Sequence, residues 1–234
     1  MARLAVIGGH GTLRAALGAG ARRFDQDGVA LLEVDDVIVL ERHGLDDFTP
    51  AHRIDHARNL AALAALDCRH VLGLSSVGSL RLDWPVGSVV VPDDFYAPLV
   101  TPSRFADERG HRVPGFDARF RRLVIDTWRH ATSTPVRDGG VYAQTTGPRF
   151  ETPVEVRALA QVADLVGMTA ASECVLTPEF GLSYASVCVI DNLGNGLEVD
   201  RLTLERYRVG VAENSERLAG DLRAVVAGLS SAPE

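Results

Sequence analysis

The sequence predicts a single α/β domain in which a central, mixed and largely parallel sheet is flanked by helices. Short apolar segments alternate with segments of helical periodicity along the chain. The strand candidates are apolar throughout, which is typical of strands covered by helices on both faces. No repeat or linker divides the 234 residues, so we expect one domain over residues 1–234.

The strand candidates are short apolar runs bounded by glycine, proline or polar residues. In chain order they cover residues 4–7, 29–33, 37–40, 70–74, 89–91, 140–144, 165–166 and 184–190. The second and third form a pair across Asp35 and Asp36. Residues 75–78, which are rich in serine and glycine, are predicted to close the fourth strand as a turn.

The helix candidates carry apolar residues at spacings of three and four. They cover residues 53–66, 119–128, a segment that begins near Pro153, 170–180 and 202–227. Proline suits the first turn of a helix, which supports a start near Pro153. The stretch 96–114 is polar and interrupted by proline and glycine, and it is predicted as a long loop.

Composition excludes several classes of function. The formal net charge is −7 and no cluster of basic residues occurs, so nucleic-acid and membrane-surface binding are not expected. All 24 basic residues are arginine, which excludes a P-loop lysine and a Schiff-base lysine. The three cysteines are scattered, as in a reduced compartment. With no signal peptide or long apolar run, a cytoplasmic protein is expected.

Polar or glycine-rich segments follow five of the predicted strands. They cover residues 8–12, 42–44, 75–78, 145–151 and 191–192. In open α/β sheets, ligands bind beyond the carboxyl ends of the strands. We therefore expect these five segments to meet around one pocket.

Two of these segments, and the helix start at Thr169, offer groups that bind anions. The glycine turn at 8–12 can close backbone amides on a phosphate, although a plain tight turn explains it equally well. Arg42 can hold an oxyanion with two hydrogen bonds, or it can be a surface residue paired with Glu41 or Asp46. Thr169 offers a hydroxyl beside the amides of a helix start, or it is an ordinary N-cap.

Two further motifs suggest chemistry that the residue types contradict. Residues 73–78 resemble a serine nucleophile elbow, but Val77 stands where the elbow needs glycine. The segment can still present amides and hydroxyls to a sugar or an anion, or serve as a turn. His52 and His56 have the spacing of a zinc pair, but Arg53 replaces the glutamate of a zinc protease, so no metal site is expected.

The segment Gly147-Pro148-Arg149-Phe150-Glu151-Thr152 places an aromatic ring beside a carboxylate. Phe150 can stack on a flat heterocycle while Glu151 accepts hydrogen bonds from its edge. The alternative is a core phenylalanine followed by a Glu/Thr helix cap. Asp191 and Asn192 end the most buried strand, where polar side chains are costly unless they are paired or functional.

Six motifs in order, between Ile7 and Asn192, resemble the nucleoside phosphorylase family. They are IGGHGTL, RHGLDDFTPAHRID, SSVGSLRLDWPVGSVVVPDDF, GPRFETPVE, VGMTAASE and YASVCVIDN. The resemblance is to its trimeric branch, the purine nucleoside and methylthioadenosine phosphorylases. It implies the α/β fold of that family, a homotrimer, a role in purine salvage, and phosphorolysis with inorganic phosphate as co-substrate and without a metal or organic cofactor.

The resemblance also implies roles for individual residues. Phosphate is expected at Gly9, His10, Arg42, His43, Ser76, Val77 and Thr169. The nucleoside is expected against Ser75, Val77, Gly78, Phe150, Glu151, Met168 and Asn192. Glu151 and Asn192 are the catalytic candidates, since they would read the edge of the purine.

The base preference follows from hydrogen-bond chemistry. A 6-oxopurine carries hydrogen on N1, which the Glu151 carboxylate accepts, and Asn192 can donate to O6. The expected reaction is therefore phosphorolysis of inosine, guanosine or methylthioinosine. Methylthioadenosine phosphorolysis is the alternative, followed by a nucleosidase and by a non-catalytic nucleotide-binding module.

Three positions depart from the family pattern. His10 replaces a hydroxyl residue in the phosphate turn, and Asp47 stands where many relatives have a second histidine. Leu204 falls where relatives that cleave inosine place a histidine for the 5′-hydroxyl. The resemblance therefore implies an apolar 5′ pocket, which suits a 5′-deoxy or 5′-methylthio ribose.

Overall fold

Strands and helices alternate along residues 3–9, 12–18 and 20–231, the part of the chain that a computed structural model describes. The strands are β1 Arg3–Gly8, β2 Arg22–Gln26, β3 Val29–Val34, β4 Val37–Glu41, β5 Cys68–Ser79, β6 Val89–Val91, β7 Asp94–Tyr96, β8 Val136–Asp138, β9 Val141–Gln144, β10 Leu165–Gly167 and β11 Ser183–Leu193. The helices are α1 Thr12–Leu17, α2 His56–Ala65, α3 Ala118–Ala131, α4 Pro153–Leu159, α5 Ala170–Leu176 and α6 Leu204–Ser231.

All the strands belong to one mixed sheet. Its main path runs β2-β3-β4-β1-β5-β10-β9-β7, while β11 pairs with β5 and β6, and β6 pairs with β8. The central pairs β1–β4, β1–β5 and β5–β11 are parallel, whereas β2–β3 and β3–β4 form antiparallel hairpins. The predicted fold class, a mixed and largely parallel sheet flanked by helices, is therefore confirmed.

Helices cover both faces of the sheet. In β1, Leu4 and Val6 pack into a cluster with α1, α3 and α6, while Ala5 and Ile7 pack into a second cluster with α2 and α5. Successive side chains of a strand point to opposite faces, so each face of β1 is apolar because each meets a helical layer. This explains why the strand shows no alternation of polar and apolar residues.

The prediction of a turn at residues 75–78 is wrong, because β5 continues through them to Ser79. Ser76 pairs with Val189 and Val77 with Ile190 in β11, and Gly78 also pairs with Val166 in β10. Serine and glycine have low strand propensity, but neighbours on both sides satisfy the backbone here. Tertiary pairing therefore outweighs local preference.

Several boundaries move for local reasons. The helix predicted from residue 53 begins at His56, because the Asp55 carboxylate accepts from the Arg58 amide as N-cap. The helix predicted over 170–180 ends at Leu176 and continues as a 3-10 turn, Thr177–Phe180. Pro178 lies in that turn, and proline removes a helical hydrogen bond.

Some short elements give no signal in the sequence. The edge strand β2 has the sequence RRFDQ and pairs only with β3 among the described residues. Strands β7 and β8 have 3 residues each, too few for a period to be recognised. The predicted loop over 96–114 begins at Tyr96, which is the last residue of β7, and it holds one short 3-10 turn, Glu108–Gly110.

The three cysteines are buried and none forms a disulfide. Burial raises the pKa of the Cys68 thiol to about 11 and that of Cys188 to about 12. All three pack in the apolar clusters beside the sheet. No helix in the described part of the chain is long and apolar enough to cross a membrane.

Candidate functional site

A cavity of about 1020 Å³ opens at the carboxyl ends of the central strands. The five predicted segments all contribute to its wall, together with the residues that follow β10 and one face of α6. The predicted site residues on the wall are Gly9, Arg42, His43, Ser75, Ser76, Val77, Gly78, Phe150, Glu151, Met168, Thr169 and Asn192. His10 lies outside the described residues.

Arg42 is buried directly after β4, and its guanidinium bonds to three groups of the protein. Nε and Nη2 donate to the two carboxylate oxygens of Glu173 over 2.7 and 3.0 Å. Nη1 donates to the Leu74 carbonyl over 2.7 Å, and Nη2 also reaches the Ile7 carbonyl at 3.3 Å. A guanidinium has five N–H donors, so these four bonds leave one N–H on Nη1 for a ligand.

The alternative interpretation of Arg42 as a surface residue paired with Glu41 or Asp46 is wrong. Its side chain is 2% exposed and its carboxylate partner is Glu173, which is also 2% exposed. Asp46 instead binds Arg23 at the surface. The pairing could not be read from the sequence because the two residues are 131 positions apart.

Glu173 is ionised although it is buried. Burial raises the pKa of its carboxyl, but the Arg42 guanidinium outweighs burial and holds this pKa below its usual range. The Tyr184 hydroxyl also donates to Glu173, over 2.7 Å. Burial likewise works against the charge of Arg42, and Glu173 keeps the pKa of Arg42 above its ordinary value. The two side chains therefore form a buried ion pair.

His43 follows Arg42 and has a fixed ring orientation. Its Nδ1 lies 2.8 Å from the Thr49 carbonyl oxygen, and since a carbonyl only accepts, Nδ1 carries the hydrogen. The ring stacks on Phe48 with centroids 5.2 Å apart. The other edge of the ring faces Gly9, where a Cβ atom would lie 4.0 Å from Nε2. Gly9 and the imidazole thus meet on one side of the cavity.

The start of α5 does not present its amides to the cavity as predicted. The Thr169 and Ala170 amides donate to the Tyr142 hydroxyl over 3.2 and 3.3 Å, and the Ser172 amide donates to Gln144 Oε1 over 3.0 Å. Buried side chains of β9 therefore satisfy this helix end. Thr169 makes no capping hydrogen bond with its side chain, so the N-cap interpretation is also wrong for its hydroxyl.

Phe150 and Glu151 lie at another part of the wall. The Thr145 hydroxyl donates to Glu151 Oε1 over 2.6 Å, and the Glu151 side chain is buried. Phe150 is half-buried and packs on the Tyr207 ring at 5.4 Å between centroids. The helix cap belongs to Thr152, whose capping box with Glu155 opens α4. Glu151 therefore has no part in that cap.

A β-bulge brings Asp191 and Asn192 to the same cavity. Ile190 pairs with Val77 and Asn192 with Gly78, so Asp191 is an extra residue in β11. Adjacent strand residues normally face opposite sides, and a bulge re-aims them. Gly78 leaves the space that Asn192 uses, since a Cβ atom there would lie 3.0 Å from Asn192 Nδ2.

The two bulge side chains have different surroundings. Asn192 Nδ2 donates to the Leu193 carbonyl over 2.8 Å, which leaves its second N–H and its oxygen for a ligand. The Asp191 carboxyl accepts from Asn214 Nδ2 over 2.7 Å. Burial raises the pKa of Asp191, and the hydrogen bond from Asn214 opposes this rise. Asp191 is therefore hydrogen-bonded, in agreement with the expectation that buried polar side chains at this strand end are paired or functional.

Several wall residues were not singled out as site candidates from the sequence. Tyr207 contacts Phe150, and burial raises the pKa of its hydroxyl. Asn195 donates through Nδ2 to the Glu151 carbonyl over 3.0 Å. Tyr207 falls within the helix predicted over residues 202–227. Its hydroxyl is a signal in the sequence that this helix meets a polar site.

The histidine pair has no metal-site geometry. His56 Nδ1 lies 3.8 Å from Glu173 Oε1, whereas His52 is exposed in a short 3-10 turn. Burial lowers the pKa of His56, with Glu173 opposing it. Within the described ranges, no group of three or more His, Cys, Asp or Glu side chains is placed to hold a metal ion.

Comparison with known sequences identifies similar proteins. The family model described as "Phosphorylase superfamily" matches residues 28–227. The "Probable 6-oxopurine nucleoside phosphorylase" of Archaeoglobus fulgidus is 42% identical over 163 residues, covering 70% of this chain and 67% of that protein. The "S-methyl-5'-thioadenosine phosphorylase" of Saccharolobus solfataricus is 32% identical over 212 residues, covering 85% and 75%.

A third relative and a solved structure agree with these matches. The "Probable S-methyl-5'-thioinosine phosphorylase" of Methanosarcina acetivorans is 36% identical over 189 residues, covering 76% of this chain and 70% of that protein. Methylthioadenosine phosphorylase from Schistosoma mansoni, in complex with tubercidin, superposes with a TM-score of 0.82. That match has 22% identity and covers 100% of this chain and 93% of the other, which shows a shared fold.

Proposed function

The chain belongs to the phosphorylase superfamily, and from this premise we propose that it catalyses phosphorolysis of a 6-oxopurine nucleoside. Inosine, guanosine and methylthioinosine are the substrates considered. The products are the free base and the corresponding ribose 1-phosphate. One observation carries the proposal: Arg42 and His43 share one cavity with Phe150, Glu151 and Asn192.

Phosphate is assigned to the part of the cavity that holds basic and hydroxyl groups. Arg42 offers its remaining N–H, and His43 offers the ring edge that faces Gly9. Thr169 adds a hydroxyl without a helix-capping bond. The Gly9 backbone and the Ser76–Val77 segment complete the assignment. A charge-assisted bond from Arg42 is stronger than a neutral one and favours the dianion.

The nucleoside is assigned to the rest of the wall. Ser75, Val77, Gly78 and Met168 line the region proposed for ribose. Phe150 offers its ring to the purine face, and the Tyr207 ring contacts Phe150 at 5.4 Å between centroids. Because Thr145 occupies Glu151 Oε1, Glu151 Oε2 is the oxygen proposed to accept from N1–H. Asn192 is proposed to donate to O6 or N7.

The reaction then requires no covalent intermediate with the protein. The C1′–N9 bond breaks and its electron pair moves to the purine, while C1′ becomes cationic. An oxygen of hydrogen phosphate forms the new bond to C1′ from the opposite face, and the proton that the phosphate gives up is taken by the departing base. Asn192 stabilises the negative charge that develops on the purine. A donor aimed at developing charge is typically worth about 3–4 kcal/mol.

A 5′-methylthio substrate is the second candidate, and the wall along α6 favours it. Leu202, Leu204 and Val211 line this part of the cavity, so an apolar 5′ group finds apolar contacts there. Relatives named for methylthioinosine and methylthioadenosine are among the similar proteins. Glu151 and Asn192 favour methylthioinosine over methylthioadenosine, for the N1 reason given above.

The remaining parts of the proposal concern partners and location. We propose a cytoplasmic homotrimer that acts in purine salvage and needs inorganic phosphate but no metal or organic cofactor. Light scattering would measure the mass of the assembly. Activity that survives dialysis against a chelator would support the metal-free reaction, and activity that only an added metal restores would contradict it.

Base release from a nucleoside panel tests the proposed function. The panel contains inosine, guanosine, methylthioinosine and methylthioadenosine, each with and without inorganic phosphate. We expect phosphate-dependent release from the 6-oxopurines and a sugar 1-phosphate that phosphorus NMR detects. Release without phosphate would indicate a nucleosidase, and preference for methylthioadenosine would indicate the alternative. No release from any nucleoside would leave a binding module.

A further inference from the structure

We propose that Glu173 is a positioning residue that holds Arg42 in the orientation needed to bind phosphate. The inference rests on the proposed function, because it concerns the phosphate part of the same cavity. Glu173 itself does not line this cavity, whereas Arg42 does. The carboxylate is therefore expected to act through Arg42 and not by contact with a substrate.

The hydrogen bonds of Arg42 leave it a single orientation. Glu173 takes the edge formed by Nε and Nη2 over 2.7 and 3.0 Å, and the Leu74 carbonyl takes one N–H of Nη1 over 2.7 Å. A carboxylate that accepts two parallel hydrogen bonds from a guanidinium fixes the plane of that group as well as its position. The plane in turn fixes the direction of the last N–H of Nη1.

Glu173 is held as firmly as the arginine it binds. Its side chain is buried, its second oxygen accepts from the Tyr184 hydroxyl over 2.7 Å, and its amide donates to the Thr169 carbonyl over 3.3 Å. Thr169 is one of the proposed phosphate residues. The first turn of α5 thus connects Thr169 to Glu173, the partner of Arg42. Thr169 and Glu173 are therefore fixed in position relative to each other.

The negative charge of Glu173, taken alone, predicts that this residue weakens phosphate binding, whereas its role in orienting Arg42 predicts that it strengthens phosphate binding. Glu173 is an anion close to the proposed site of another anion, and Coulomb repulsion disfavours a second negative charge there. If charge dominated, an uncharged residue at position 173 would strengthen phosphate binding. If orientation dominates, the same change would weaken it, because Arg42 would lose the bonds that fix its plane. The sign of the effect therefore separates the two roles.

The variants are Glu173→Gln, which removes the charge, and Glu173→Asp, which keeps the charge but shortens the side chain. We expect each to raise the KM for phosphate by about tenfold or more and to leave the KM for the nucleoside within about twofold. Isothermal titration with inorganic phosphate alone should show the same weakening. Glu173→Asp keeps the test valid if the neutral variant does not fold, since an unpaired buried arginine is strongly destabilising.

Ser172→Ala is the matched control. Ser172 is buried in the same turn of α5, and its hydroxyl accepts from Gln144 Nε2 over 2.6 Å, a bond that does not involve Arg42. It should lower the melting temperature and leave the phosphate KM within about twofold. An equal rise in phosphate KM in this control would make the effect merely structural and overturn the inference.

The inference and the proposed function can fail separately. If the unaltered protein releases no base in a phosphate-dependent way, the proposed function is wrong. If it does, and the Glu173 variants bind phosphate as tightly as the unaltered protein or more tightly, only the positioning role is wrong. A parallel rise in the KM values of phosphate and nucleoside would likewise overturn it.

Discussion

The Thr145 hydroxyl donates a hydrogen bond to Glu151 Oε1 over 2.6 Å, across the turn that also carries Phe150. The bond fixes one oxygen of the carboxylate and leaves Oε2 for a group in the cavity. A carboxylate oriented in this way accepts from an N–H and repels a lone pair. The relationship therefore bears directly on which purine the site prefers.

Substitution of the two residues proposed to contact the purine edge should change the preferred base. Glu151→Gln combined with Asn192→Asp supplies a donor toward N1 and an acceptor toward the 6-amino group. We expect the ratio of kcat/KM for 6-amino over 6-oxopurine nucleosides to rise about tenfold or more, since one unsatisfied buried bond costs about 1–3 kcal/mol. Adenosine, inosine and their methylthio forms are the substrates to compare.

Glu155→Gln is the control for that exchange. Glu155 is a carboxylate in the neighbouring capping box and lies outside the cavity wall. It should lower stability without changing the base preference. An equal loss of activity toward both types of base in the double variant would mean that Glu151 and Asn192 are structural.

Removal of the Phe150 ring should weaken binding of the nucleoside. Phe150→Ala loses the proposed stacking on the purine, and stacking of a base on an aromatic ring is worth about 1–3 kcal/mol. We expect a matching rise in nucleoside KM with little change in phosphate KM. Phe150→Tyr keeps the ring and serves as control. Unchanged nucleoside binding in the alanine variant would place the purine elsewhere.

The Arg149–Glu155 ion pair should be detectable as a lowered pKa when the Glu155 carboxyl is titrated. Hydrogen bonds from Arg149 and from the Thr152 amide lower the pKa of Glu155 to about 2. Stability from this group is thus present above the ordinary pKa of glutamate and is lost as pH falls toward about 2. Arg149→Ala should raise the Glu155 pKa in a carbon-13 NMR titration. Arg157→Ala, an exposed arginine of α4, should leave it unchanged.

His56 should make the protein less stable in mild acid. Burial lowers the pKa of His56, so the unfolded chain binds its proton more readily than the folded one. Stability is then present above about pH 6.5 and falls with further acidification, by at most about 1.4 kcal/mol per pH unit. His56→Gln should flatten this part of a denaturation series. His52→Gln alters an exposed histidine, and an equal flattening there would contradict the assignment.

Loss of the Tyr142 hydroxyl should destabilise the start of α5. Tyr142→Phe leaves the Thr169 and Ala170 amides without their buried acceptor. A buried donor without a partner costs about 1–3 kcal/mol, so the free energy of unfolding should fall by that amount in denaturant titrations. Tyr96→Phe, at a residue 40% exposed, should change it little. Equal stability of the two variants would mean that water replaces the hydroxyl.

The alternation of apolar strands with helices determined the fold class. Both faces of β1 are apolar because helices cover both faces, so residues 4–7 of the strand form a continuous run of apolar residues in the sequence. The strand ends could be located for the same reason, since glycine and polar residues interrupt the apolar runs. Five such ends sufficed to predict one shared pocket.

Tertiary structure alone decided what those residues do there. Residues 75–78 form strand because β10 and β11 pair with them, and Asp191 faces the cavity because β11 bulges against β5. Arg42 pairs with Glu173, 131 positions away. The first amides of α5 donate to the Tyr142 hydroxyl. Hydrogen-bond partners depend on distance in space, which a local sequence pattern does not encode. Apolar burial leaves a local pattern, continuous along a strand covered on both faces and spaced by three and four residues along a helix, and the sequence therefore reveals it.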